Sequence, residues 1–271
     1  MDKNMGKYEG KILLSDIDGT LLNTESTLSL KNAEAIRHFV DEGGKFGIAT
    51  GRSLTNALSF LENIPINGYC ILGNGGLLYD FETQTYLEEY GIIKKETDCF
   101  LQRCLKERPQ IGIQIYGRDM GYIVSKKELA NPEVVKDHHP VQFACLNDVA
   151  DVNWIKILFF GTEEDIEWLE KESIYLEKNK IVDRVRSSVT YYEFLPVNVN
   201  KGTMLNRLRR YTNKNHTIYA VGDYYNDIEM IKQADVGIAM GNAPDLVKTC
   251  ADYICKDCNQ SAIAEVINCI I

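Results

Sequence analysis

The chain has 271 residues, 45% of them apolar and 25% charged, with a formal net charge of -9. This is globular composition, enough for a sizeable core in one large domain or two ordinary ones. The acidic balance, with no dense Lys/Arg run, argues against nucleic acid and anionic membranes as partners, and no stretch approaches the roughly 18 apolar residues of a membrane span.

The first ten residues are polar and lack the apolar core of a signal peptide. The eight cysteines are therefore read as reduced cytoplasmic thiols. Cys255 and Cys258 form a C-x-x-C pair with Cys250 nearby. No fourth ligand or thioredoxin-like context accompanies them, so a scattered structural role is expected.

Lys11 to Ile17 is short, apolar and ended by turn residues, which predicts a buried strand. Ser29 is placed to cap a helix running through Glu42, with Ala33, Ile36 and Val40 on its inner face and Gly43-Gly44 at its end. Phe46 to Ala49 is a second buried strand, a helix starts at Leu54, and Tyr69 to Leu72 is a third strand. This βαβαβ alternation implies a parallel sheet with helices on both faces.

The pattern then changes. Leu77 to Tyr79 and Thr85 to Leu87 flank a turn and predict a hairpin. Glu96 to Arg108 reads as a helix. Ile111 to Tyr116 and Tyr122 to Val124 read as antiparallel strands with one wet face. A polar connection from Asn131 to Pro140 follows, then a strand at Ile155 to Phe160, a helix from Glu163 to Asn179 and a strand at Tyr191 to Leu195. After Pro196 the parallel pattern returns, with a helix from Lys201, a strand at Thr217 to Val221, a helix after Asp227 and a strand at Val236 to Ala239. Helices after Pro244 and from Ser261 to Ile267 complete it. The expected fold is α/β, a Rossmann-like doubly wound parallel-sheet core with an inserted α+β domain. Its expected boundaries are core 1–83, insertion 84–189 and core 190–271.

Four polar elements fall at or near C-terminal strand ends, where open α/β sheets place their sites. They are Asp16-Ile17-Asp18-Gly19-Thr20, Thr50-Gly51-Arg52, Asn200-Lys201-Gly202 at a loop-to-helix junction, and Gly222-Asp223-Tyr224-Tyr225-Asn226-Asp227. Singly, each is explained by a turn, a cap or a solvated helix start. In this order and in these strand contexts, coincidence is a poor explanation.

Through these motifs the chain resembles the haloacid dehalogenase-like superfamily of aspartyl-phosphate hydrolases. The segments Val221 to Ala243, Ile71 to Gly76 and Tyr191 to Gly202 look like its Cof-type phosphatase branch, which carries a large α/β cap. The resemblance implies Mg²⁺, with Asp16, Asp18, Asp223 and Asp227 around it. It implies Asp16 as nucleophile and Asp18 as acid and then base, with Asp18 holding the metal through its carbonyl. Asp227 is expected to hold metal-bound water or to orient Lys201. Thr50, with its hydroxyl and N–H, Gly51, Lys201 and Asn226 are expected on the phosphate. Arg52 and Asn74 are candidates for touching the substrate. Asn198 and Asn200 depart from the family pattern ahead of the lysine, but Asn tolerates left-handed backbone.

The implied activity is hydrolysis of a small phosphorylated metabolite, a sugar phosphate by default. Pyridoxal phosphate, a flavin-pathway phosphate or a phosphomutase reaction are alternatives. Dehalogenation needs neither Asp18 nor a metal, so the intact acidic set argues against it. Gln114, Tyr116, Arg118, His138 and His139 are polar candidates in the inserted domain. Oligomeric state is not legible.

Overall fold

In the computed structural model the described residues are 6–61, 64–126, 129, 140–186 and 188–271. In chain order the strands are β1 Lys11–Ser15, β2 Lys45–Ile48, β3 Tyr69–Leu72, β4 Leu77–Asp80, β5 Thr85–Glu89, β6 Gly112–Tyr116, β7 Gly121–Ile123, β8 Val141–Phe143, β9 Lys156–Phe160, β10 Asp183–Arg186, β11 Tyr191–Leu195, β12 Thr217–Gly222, β13 Val236–Ala239 and β14 Tyr253–Ile254. The chain forms two compact units. One comprises Met1–Arg52, Ala57–Glu88 and Asn200–Ile271; the other comprises Ser53–Asn56 and Glu89–Val199.

In the first unit, the order β14-β13-β12-β1-β2 makes a parallel sheet. Consecutive residues Ile12, Leu13 and Leu14 are all fully buried. A strand buried on both faces must be an unbroken apolar run, as this one is. Ala49 bridges to Ile71 in parallel, so β3 continues past β2, and β4 and β5 follow in a three-stranded sheet. The helix Leu30–Asp41 starts where Ser29 accepts a hydrogen bond from the Asn32 N–H. It buries Ala33, Ile36 and Phe39, while Val40 is only half-buried.

The second unit has a six-stranded sheet, β10-β11-β9-β6-β7-β8, antiparallel except between β7 and β8. Ile113, Ile115, Ile157, Phe159 and Phe194 pack on one face with Phe100, Leu101 and Cys104 of the helix Lys94–Glu107 and with Ile166 and Leu169. The opposite face is less wet than expected, since Gln114 and Leu158 are buried there.

Several expectations are corrected. The inserted unit runs from Glu89 to Val199 rather than 84–189, because β5 continues the β3-β4 sheet and β11 pairs with β9 and β10. The helix expected over Glu163 to Asn179 is two, Glu163–Glu172 and Ile174–Lys178. The Ser173 hydroxyl donates to the Leu169 carbonyl at 2.6 Å, a back-bond that bends helices. The short strands β8, β10 and β14 give too little pattern to read in sequence. The connection at 131–139, with His138 and His139, lies outside the described residues. Among these residues no helix is long and apolar enough to cross a membrane.

Candidate active site

The ends of β1 and β12 and the start of the helix Lys201–Leu208 converge in the first unit. Lys201 is the first residue of that helix, fixed by a capping box in which Asn200 Oδ1 accepts from the Thr203 N–H and the Asn200 N–H donates to Thr203 Oγ1. The lysine is wholly buried. Its ammonium donates to Asp16 Oδ1 and to Asp227 Oδ1, each at 2.7 Å. A buried charge needs such partners. Burial lowers the affinity of this amine for its proton, but the two carboxylates outweigh it and raise the pKa above the usual lysine value. Burial also pushes Asp16 up to about 8; Lys201 opposes this, while Asp227 and Asp223 add to it.

Asp227 uses its other oxygen, Oδ2, to accept from the backbone N–H groups of Asp223 and Tyr224, both at 3.0 Å. Its carboxylate thus holds Lys201 and closes the loop after β12. Gly222 permits the closure, because a Cβ there would strike the Asp227 side chain.

Asp223 is drawn towards the β1 loop. Thr20 Oγ1 donates to its Oδ1 at 3.0 Å. Gly19 has φ of 75°, a turn that favours glycine, and a Cβ there would meet the same carboxylate. Burial and Asp227 push Asp223 up to about 6. Asn242, which sequence reasoning missed, ties three segments together. Its Nδ2 donates to the Gly19 carbonyl at 2.8 Å and to Asp223 Oδ2 at 3.4 Å, and its Oδ1 accepts from the Cys258 N–H. Its signal was its place: a polar residue just after the apolar strand β13, at the same sheet end as the four motifs.

Thr50 is buried, and its N–H is not available as expected. It donates to the Ile71 carbonyl at 2.8 Å, continuing the sheet ladder. The hydroxyl accepts from the Arg52 N–H at 3.2 Å and keeps its own proton to donate. The Thr50 carbonyl accepts from the Asn74 N–H, and Asn226 Nδ2 donates to Asn74 Oδ1 at 3.2 Å. Asn74 has φ of 55°, a left-handed conformation that Asn tolerates. Thr50, Gly51, Asn74 and Asn226 are thus brought together.

The Asp18 side chain is 55% exposed and accepts from the Arg52 guanidinium, at 2.8 Å from Nε and 2.7 Å from a terminal nitrogen. Among the candidates of the second unit, Tyr116 donates its hydroxyl to Gln114 Oε1, and Arg118 pairs with Glu89. All eight cysteines are free; Cys255 is buried beside the Ala239 carbonyl and Met240.

One carboxylate oxygen from each of Asp16, Asp223 and Asp227 lies within 4.8 Å of the other two. A hard, all-oxygen donor set suits a hard divalent cation. Burial, with a smaller push from neighbouring carboxylates, raises Asp16 and Asp223, and a bound cation would offset the cost of their charge. The residues present therefore fit a metal ion.

Comparison with known proteins agrees with this geometry. A family model of haloacid dehalogenase-like hydrolases matches residues 13–267, and the chain belongs to that family of enzymes. It is 31% identical over 265 residues to the 5-amino-6-(5-phospho-D-ribitylamino)uracil phosphatase YcsE of Bacillus subtilis (strain 168), covering 95% of this chain and 94% of that protein. It is 28% identical over 290 residues to YwtE of the same organism, which carries the same description, covering 95% and 97%. A crystal structure of a haloacid dehalogenase-like hydrolase from Bacteroides thetaiotaomicron superposes with a TM-score of 0.84 at 25% identity, covering 98% of this chain and all of that one.

Proposed function

We propose that the chain is a Mg²⁺-dependent phosphomonoesterase working through an aspartyl-phosphate on Asp16. The observation that carries this reading is the wholly buried Lys201 bonded to Asp16 Oδ1. That bond fixes one oxygen of Asp16 and leaves Oδ2 to attack phosphorus. The P–O electron pair departs with the leaving oxygen, which takes a proton from the Asp18 carboxyl. In the second step Asp18 takes a proton from the attacking water, phosphate leaves, and Asp16 is restored. Lys201 has a third N–H for a phosphoryl oxygen, and the Thr50 hydroxyl can donate to another. The Gly51 backbone and Asn226, held against Asn74, complete the expected phosphate cradle. Asp16 and Asp223, with the Asp18 carbonyl and Asp227, would hold Mg²⁺. When bound, the ion neutralises negative charge that would repel an anionic substrate.

For the substrate, a metabolite with a primary alkyl phosphate fits best, because an alkoxide leaving group needs the acid that Asp18 would provide. Two relatives are named for a phosphorylated ribitylamino-uracil, and its polyol phosphate is close in chemistry to the sugar phosphates taken as the default. The free thiols support action in the reducing cytoplasm. The test is phosphate release from a panel of sugar, ribityl and pyridoxal phosphates with Mg²⁺, for the native chain and Asp16→Asn. The ribityl ester should rank first and Asp16→Asn should lose turnover. Transfer of the phosphoryl group to a sugar in place of water would make the chain a mutase, and an active Asp16→Asn would remove the covalent route.

A further inference from the structure

The guanidinium of Arg52 stands between two groups. On one side it gives two hydrogen bonds to the two oxygens of Asp18. On the other it lies over the ring of Phe60, 4.3 Å from the centroid. Its backbone is fixed as well, its N–H donating to Thr50 Oγ1 and its carbonyl accepting from the Gly73 N–H. Asp18, by contrast, follows the end of β1, and its side chain is largely exposed. An exposed aspartate on a loop samples several rotamers unless something holds it. A two-pronged Arg–carboxylate pair sets both distance and plane.

We infer that Arg52 is a positioning residue that acts through Asp18, holding the carboxyl group where it meets the leaving oxygen. The inference rests on the reading of Asp18 as acid and base. It differs from the sequence expectation that Arg52 touches substrate, and it gives the Thr50-Gly51-Arg52 motif a second task. Thr50 serves the phosphoryl oxygens, while Arg52 sets the proton donor two residues beyond the nucleophile.

A residue acting through the acid is distinguished by its dependence on the leaving group. An alkyl phosphate needs a proton as its bond breaks, whereas a nitrophenyl phosphate expels a weakly basic phenolate and needs little help. The experiment measures single-turnover formation of the aspartyl-phosphate with both esters in four proteins: native, Arg52→Ala, Asp18→Asn and the double variant. Arg52→Lys is added as the conservative change. Displacing a catalytic group costs on the order of 10²-fold. A loss of that order is expected for Arg52→Ala on the alkyl ester, with little loss on the nitrophenyl ester. In the Asp18→Asn background Arg52→Ala should change nothing further. Arg52→Lys should recover part of the alkyl rate, since it keeps the charge without the fork.

Equal losses on the two esters, or losses that multiply in the double variant, would overturn the inference and put Arg52 on the phosphoryl group. A faster alkyl reaction in Arg52→Ala would also overturn it, making the pair a restraint. If Asp18→Asn itself shows no difference between the esters, the acid reading has failed, and that result is separable from the others. Circular dichroism and the nitrophenyl rate report whether each variant is folded.

Discussion

Lys201 lies wholly buried between two carboxylates. Removing its charge leaves Asp16 and Asp227 facing each other in a buried space, and breaking a buried pair from one side is costly. Lys201→Met should destabilise the metal-free protein by about 3 kcal/mol in urea unfolding. A loss below about 1 kcal/mol would mean the three groups are not coupled as their 2.7 Å contacts imply. Asp223 tests the metal. A ligand that binds only the folded state stabilises it, by about 2.7 kcal/mol at ~100 times its Kd. Mg²⁺ should raise the melting temperature of the native chain but not of Asp223→Asn, and a chelator should reverse the rise. A full shift in Asp223→Asn would place the ion elsewhere.

At this scale the sequence was informative for residue type but not for pairing. Asp16, Lys201, Asp223 and Asp227 could be named from motifs at strand ends, and they do converge. That the Thr50 N–H belongs to the sheet ladder could not be read, because it depends on β3 lying beside β2. Nor could the pairing of Asp18 with Arg52, because it depends on the loop after β1 lying beside the segment after β2.

Among the elements, the helix Lys201–Leu208 matters most, because its first residue is the buried lysine. Asn200→Ala removes the side-chain half of its cap and should cost about 1 kcal/mol. Turnover should fall as well, while Asn200→Ser should keep both. Chemical denaturation with parallel rate measurements checks this; an Asn200→Ala protein with native stability would show that the cap is dispensable. Just before it, Asn198 has φ of 57°, a left-handed backbone that Asn tolerates. Long apolar strands and capped helices were legible because period and cap chemistry are local. The two-residue strand β14 and the bend at Ser173 were not, since one is defined by its neighbour and the other by a single side-chain bond.

At the scale of the whole molecule, two units with separate sheets were visible as a change of pattern. The boundaries moved because a strand is assigned by what it pairs with: β11 belongs with β9 and β10, and only the chain after it returns to the parallel sheet. The thiols report whether both units are folded. Burial pushes Cys70, Cys104 and Cys255 up to about 12, so they should resist a thiol reagent, whereas Cys99, Cys145 and Cys269 are exposed and should react quickly. Peptide mapping after brief labelling should find those three first. Rapid labelling of Cys70 would mean that the first unit opens, and of Cys104 that the second does.

The covalent route through Asp16 is tested most directly by intact-mass analysis of the Asp18→Asn chain, acid-quenched while it turns over a nitrophenyl phosphate with Mg²⁺. This ester forms the intermediate without an acid, and loss of the base slows its breakdown, so the intermediate should accumulate. The account predicts one added phosphoryl group per chain, on the peptide carrying Asp16 and absent from an Asp16→Asn control. Release of nitrophenol with no phosphorylated chain, or with the phosphoryl group on another residue, would contradict it.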